Sequence, residues 1–145
     1  MPISLRRLAR GDAHPVERLS AVHAIARVTL ALVFLWHGLV PKLLFRHADE
    51  LALLRDSGLS EASAGRILTI VGVAEVVFGV ALLLAWRVCA LLLLATGVML
   101  AITPGILIGS PRFIPAAFTP VTLNLSVAVL GIIGWLASAS PRADR

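Results

Sequence analysis

The sequence predicts an all-α polytopic membrane protein, a four-transmembrane-helix bundle with a short amphipathic helix between spans 1 and 2. Of its 145 residues, 59% are hydrophobic and only 14% charged, and the mean hydropathy of +0.94 lies far outside the soluble range. The charged residues are segregated as well. They gather in the N-terminal tail up to Arg18, in the stretch Arg46–Arg66 and at the C-terminus, with long apolar runs between. Four of those runs approach the about 20 residues that a helix rising about 1.5 Å per residue needs to cross roughly 30 Å of hydrocarbon. Four short spans make one bundle, so residues 1–145 read as a single membrane domain.

Span 1 runs from about Val22 to Leu44 behind a tail holding Arg6, Arg7, Arg10 and Arg18. That tail resembles a signal n-region, but the apolar part is too long and has no small-residue cleavage site, so it is expected to stay as an anchor. Next comes ADELALLRDSGLSEASAGR, in which Leu51, Leu54 and Leu59 alternate with charges at roughly helical spacing. A short amphipathic helix on the membrane surface fits that pattern, and a solvated loop is the alternative. Span 2, about Arg66 to Trp86, and span 3, about Val88 to Ile108, are separated only by Arg87, which forces an antiparallel hairpin. Pro104-Gly105 should bend or end span 3. Span 4 opens at Thr119-Pro120, a cap followed by proline at the first helical position, and continues to about Ala137.

Orientation follows from Lys and Arg near the span ends. The side of the termini carries Arg6, Arg7, Arg10, Arg18, Arg87, Arg142 and Arg145, against Lys42, Arg46, Arg55, Arg66 and Arg112 on the other. The bias is modest and predicts both termini in the cytoplasm. Although the net charge is +5, the basic residues stand at helix ends instead of forming a stripe interleaved with aromatics, so no nucleic-acid partner is expected. The lipid bilayer is the expected surrounding.

An ionisable residue inside the bilayer costs about 2.5–3.5 kcal/mol on insertion scales and is a functional candidate by default. Glu75, nine residues after Arg66 and so about 13.5 Å along span 2, lies near the midplane. It shares a face with Gly72 and Gly79, where small residues admit a close neighbour and turn the carboxylate inward. A buried carboxyl that can hold a proton is what a proton relay or a quinone-binding acid requires; a structural ion pair is the alternative. His37 and Lys42 flank Gly38 and Pro41, where proline frees a carbonyl beside the imidazole; Lys42 could instead snorkel to the interface. Asn124 reads first as interhelical glue. Arg27 is expected to snorkel to the cytoplasmic interface, and His14, His23 and His47 fall in or near polar ends.

Connectivity puts His37, Lys42, Glu75, Thr103 and Asn124 in one half of the bilayer, the outer half in this orientation. A polar pocket there is expected, rimmed by the Pro104-Gly105 break and the RFIPAAFTP loop, while the inner half reads as apolar. A single deep histidine cannot supply a bis-histidine haem, and Cys89 alone forms no disulfide, CxxC pair or iron–sulfur site. There is no GxGxxG or P-loop, and no Cys/His set has zinc spacing, so no metal site is expected.

The motifs Trp36-His37-Gly38-Leu39-Val40-Pro41-Lys42, Ala74-Glu75-Val76-Val77-Phe78-Gly79 and Pro120-Val121-Thr122-Leu123-Asn124 resemble those of the DoxX-like family of small four-helix bacterial membrane proteins. The resemblance extends from about Arg27 to Trp135 and departs at Thr119, where the family pattern has Asn. It implies a multi-pass protein of the bacterial inner (plasma) membrane and a loose association with membrane oxidoreductases and quinone-coupled sulfur oxidation. Some similar domains are fused to NAD-binding domains; this chain has none, so a soluble redox partner would be required. The leading expectation is a membrane subunit or anchor of an oxidoreductase system, with quinone as the candidate ligand. Glu75 and His37 would handle protons, and Lys42, Asn124 and Thr103 would bind the ligand. The alternatives are a small transporter or proton-conducting module, for which a homo-oligomer would supply the pathway, and a structural or assembly protein without catalysis.

Overall fold

The computed structural model describes residues 14–116 and 119–138 of the chain. Arg6, Arg7, Arg10, Arg142 and Arg145, on which much of the orientation argument rests, and two residues of the RFIPAAFTP loop lie outside the described residues. Among the described residues five α-helices follow one another: α1 (Pro15–His37), prolonged by a π-helical segment (Gly38–Leu44), α2 (Ala48–Asp56), α3 (Glu61–Leu84), α4 (Ala90–Gly109) and α5 (Pro120–Ser138), with a 3-10 turn at Pro111–Phe113. The prolonged α1, α3, α4 and α5 are each long and apolar enough to cross a membrane. Ile25, Ile70, Val77, Leu84 and Ile108 point outward from these helices, which only a hydrocarbon surrounding makes favourable. The chain is a multi-pass membrane protein.

The helix ends differ from the spans in instructive ways. α3 starts at Glu61, several residues before the apolar run, because Ser60 Oγ caps it by accepting from the Ser63 amide at 3.3 Å. The connection to α4 is a turn over residues 85–89, not one residue. α4 does not break at Pro104-Gly105 but continues to Gly109. Thr103 Oγ1 donates to the Met99 carbonyl at 2.7 Å, the kind of hydroxyl-to-carbonyl bond by which a membrane helix tolerates proline. Pro41 has a stronger effect. With no N–H to give, it lies in a segment wound to i→i+5, seen in the Phe45 amide donating to Val40 O at 3.0 Å.

α1 is central: it packs against α3 on one side and α5 on the other, and α4 packs on α5. The contact between α1 and α3 is backbone to backbone. A Cβ on Gly38 would stand 2.5 Å from the Gly72 carbonyl oxygen and 2.9 Å from the Val76 nitrogen. Toward the termini the four spans close on a core of Leu30, Ala31, Leu82, Leu92, Ala95 and Ala128, with Phe34 edge-on to Phe78 at 4.8 Å. Thr96 Oγ1 joins α4 to α5 by donating to the Ala128 carbonyl at 3.0 Å.

At the opposite end a cavity lined by α1, α3, α4 and α5 is also walled by α2. α2 is fastened at its far end, where Asp56 Oδ2 accepts from Ser110 Oγ at 2.7 Å and from Arg112 Nη2 at 2.8 Å. A bond to a charged group is worth roughly 1.5–3 kcal/mol. Asp56→Ala should therefore speed amide exchange in α2 about tenfold or more, with the middle of α3 unaffected. Hydrogen-exchange mass spectrometry reads this directly.

Candidate functional site

The cavity measures about 1210 Å³ and its walls are mostly apolar, with Val33, Phe34, Leu68, Met99 and Val127 among them. Its polar side is built from α1 and α3. The π segment carries Lys42 inward, and the Gly38–Gly72 crossing brings α3 close enough for Lys42 Nζ to reach Glu75 Oε2 at 2.9 Å. Lys42 also reaches Glu50 Oε1 of α2 at 3.5 Å. Lys42 is 6% exposed. It does not snorkel to the interface, because two carboxylates compensate its charge where it stands. Glu75 Oε2 is itself buried, with the Lys42 ammonium as its charge partner.

The remaining candidates take up different positions. His37 lies on the cavity wall, half-buried, and makes no hydrogen bond to another side chain among the described residues. Asn124, on α5, is buried on the wall and donates from Nδ2 to Thr103 Oγ1 at 3.2 Å. Thr103 itself is not a lining residue. Its hydroxyl spends its proton on Met99 O and its lone pair on Asn124, so it orients Asn124 from behind. Asn124 keeps a carbonyl oxygen and one further N–H for other partners. Thr119 caps α5, its Oγ1 accepting from the Val121 amide at 3.3 Å.

A second polar group lies in the other half, where the sequence reads as apolar. Arg27 is fully buried and does not snorkel; this corrects the sequence expectation. Its Nε donates to Leu82 O at 2.7 Å and its Nη2 to Ala85 O at 2.5 Å, and both terminal nitrogens approach Val88 O at 3.4 Å. The guanidinium thus caps the C-terminal carbonyls of α3 and the turn that follows, and lies over Trp86 at 5.4 Å. One turn earlier His23, also buried, holds the Gly134 carbonyl at 2.9 Å through Nδ1 and meets Trp86 edge-on. The signal that could have revealed this pair is its spacing. His23 and Arg27 precede Leu30, Ala31 and Phe34 at helical intervals, on the face that α1 buries.

The arrangement offers an apolar chamber with an ammonium, a carboxylate, an imidazole and an amide on its walls. It can receive a small molecule with a polar head and an apolar body, and can donate to or accept from that head. The chamber ends at Phe34 and Met99; beyond them Leu30, Leu82 and Leu92 have no exposure. No curated protein and no solved structure matches this chain. A family model described as the DoxX-like family matches residues 31–132, from the middle of α1 through most of α5.

Proposed function

The chain belongs to the DoxX-like family of proteins, and we propose that it serves as the membrane component of an oxidoreductase system, taking the head of a quinone into the α1/α3/α4/α5 cavity. The observation that carries this reading is the Lys42–Glu75 pair set in the wall of a largely apolar chamber that Asn124 also lines. Quinone carbonyls accept hydrogen bonds, which the Lys42 ammonium and the free N–H of Asn124 can give. Reduction of a quinone takes two electrons and two protons. Glu75 and His37 are the groups placed to pass the protons. The electrons come from a separate soluble partner, since Cys89 is the chain's one cysteine and forms no redox pair.

The Lys and Arg distribution supports both termini on the cytoplasmic side of a bacterial plasma membrane, with the cavity in the outer half. A conducting module is less well supported. A proton path would have to cross the layer of Leu30, Leu82 and Leu92, which is packed shut.

Mass spectrometry of quinones retained by protein purified in mild detergent tests the reading. Wild type should retain quinone, and Glu75→Gln, His37→Ala and Lys42→Met should each retain it about tenfold less or lower, the loss of one charge-assisted contact. No quinone in any sample, with variants that are merely less stable, would leave these residues as helix-packing groups. Equal retention by all four would move the ligand elsewhere.

A further inference from the structure

A second concavity, of about 550 Å³, lies where the turn between the π segment and α2 meets the first turns of α3. Arg46, Leu51, Arg66, Thr69 and Ile70 form its walls with Glu61. Arg46 stands at φ 43°, the left-handed conformation that a non-glycine residue adopts only where its surroundings hold it. In that conformation its guanidinium lies across α3, Nη2 donating to Thr69 Oγ1 at 3.2 Å. Thr69 can accept because its own proton goes to Gly65 O at 3.1 Å.

Arg66 lines the same groove, is exposed, and has no hydrogen bond or ion pair among the described residues. The groove's carboxylate, Glu61, is already paired with Arg55 at 2.8 Å. Two guanidiniums with donors to spare therefore face a concavity with no unpaired anion. Arg66 is five residues into a spanning helix, about 7.5 Å from its start, which is headgroup depth. Directly below, Ile70, Val73 and Val77 form an exposed ridge running into the bilayer.

We infer that this groove binds an anionic phospholipid, its phosphate held between Arg46 and Arg66 and an acyl chain laid along the Ile70–Val77 ridge. Guanidinium groups match phosphate oxygens in a fork geometry, and basic residues at the membrane surface favour anionic headgroups. A free phosphate would use the two arginines but not the ridge. The site is independent of whatever occupies the central cavity.

The experiment is native mass spectrometry of the purified protein given phosphatidylglycerol or phosphatidylcholine of the same chains. Wild type should retain phosphatidylglycerol at least about tenfold over phosphatidylcholine. Arg46→Gln/Arg66→Gln should lose that preference, Arg46→Lys/Arg66→Lys should keep part of it, and Arg87→Gln, at the other end of the spans, should keep it whole. Wild-type retention in the double Gln variant, or an equal loss in Arg87→Gln, would overturn the assignment. Complete displacement of the lipid by inorganic phosphate would assign the groove to a free anion instead.

Discussion

Arg27→Met is expected to destabilise the protein by about 3 kcal/mol and to disorder the α3–α4 turn, although the replaced side chain touches neither the cavity nor any carboxylate. The reason lies in the carbonyls. α3 ends at Leu84, and a helix leaves its last four carbonyls without backbone donors. Arg27 supplies donors to Leu82 O and Ala85 O, and approaches Val88 O, from a different helix. Ala85 O keeps the Val88 amide and Val88 O the Leu91 amide, but Leu82 O is left with no donor among the described residues, and a buried acceptor left unmade costs roughly 1–3 kcal/mol on top of the lost charge-assisted bonds. Methionine replaces the apolar stem and has no donor.

Arg27→Lys should recover only part of the loss, because one ammonium cannot serve a spread of carbonyls as a planar guanidinium does. Denaturant unfolding in detergent micelles gives the stability. In a Trp36→Phe/Trp135→Phe background, Trp86 fluorescence reports the turn, since Trp86 has both Arg27 and His23 against its ring. Wild-type stability and an unchanged Trp86 spectrum in Arg27→Met would show that the carbonyls find other partners.

Gly38→Leu should have an effect of similar size by a different route, costing about 3 kcal/mol and abolishing quinone retention. The atoms that a new Cβ would meet are Gly72 O and Val76 N, which are backbone and cannot rotate aside. α1 and α3 must then move apart, and overpacking of this kind costs typically 1–3 kcal/mol, occasionally more. The same movement draws Lys42 from Glu75, since both flank that crossing. Gly97→Ala is the matched control. A Cβ at Gly97 meets nothing within 4 Å, so alanine there should be neutral or stabilise α4 by roughly 0.5–1 kcal/mol. Unfolding of the two variants side by side, with quinone content measured on each, separates a specific helix contact from a general intolerance of substitution.

Much of the candidate site is legible in residue spacing. Gly72, Glu75 and Gly79 share one face of α3, and that face meets α1 in the structure: a Cβ on Gly79 would approach Leu35 and the Ala31 carbonyl. His37, Lys42, Glu75 and Asn124 all line one cavity, as chain connectivity places them in one half of the bilayer. Which of them would pair is not legible. Lys42 lies in a segment where a snorkelling lysine and a buried one have the same sequence, and only the π winding at Pro41 and the presence of Glu50 and Glu75 within reach decide between them. Arg27 misled for the same reason. Its position near a span end fits snorkelling, but the end of α3 brings carbonyls with lone pairs to spare to it from residues more than fifty positions away.

Composition and run length by themselves determined the all-α, four-span membrane architecture, because hydrocarbon has no hydrogen-bond partners and admits only long apolar segments that satisfy their own backbone. They also marked Glu75, His37, Lys42 and Asn124 as unusual, because polar groups are costly at that depth. The tertiary structure alone decided that the π segment turns Lys42 inward, that Arg27 caps a distant helix and that α2 walls the cavity. Those outcomes depend on how closely two helices approach and on which distant groups lack a partner. Neither quantity is a property of a local stretch of sequence.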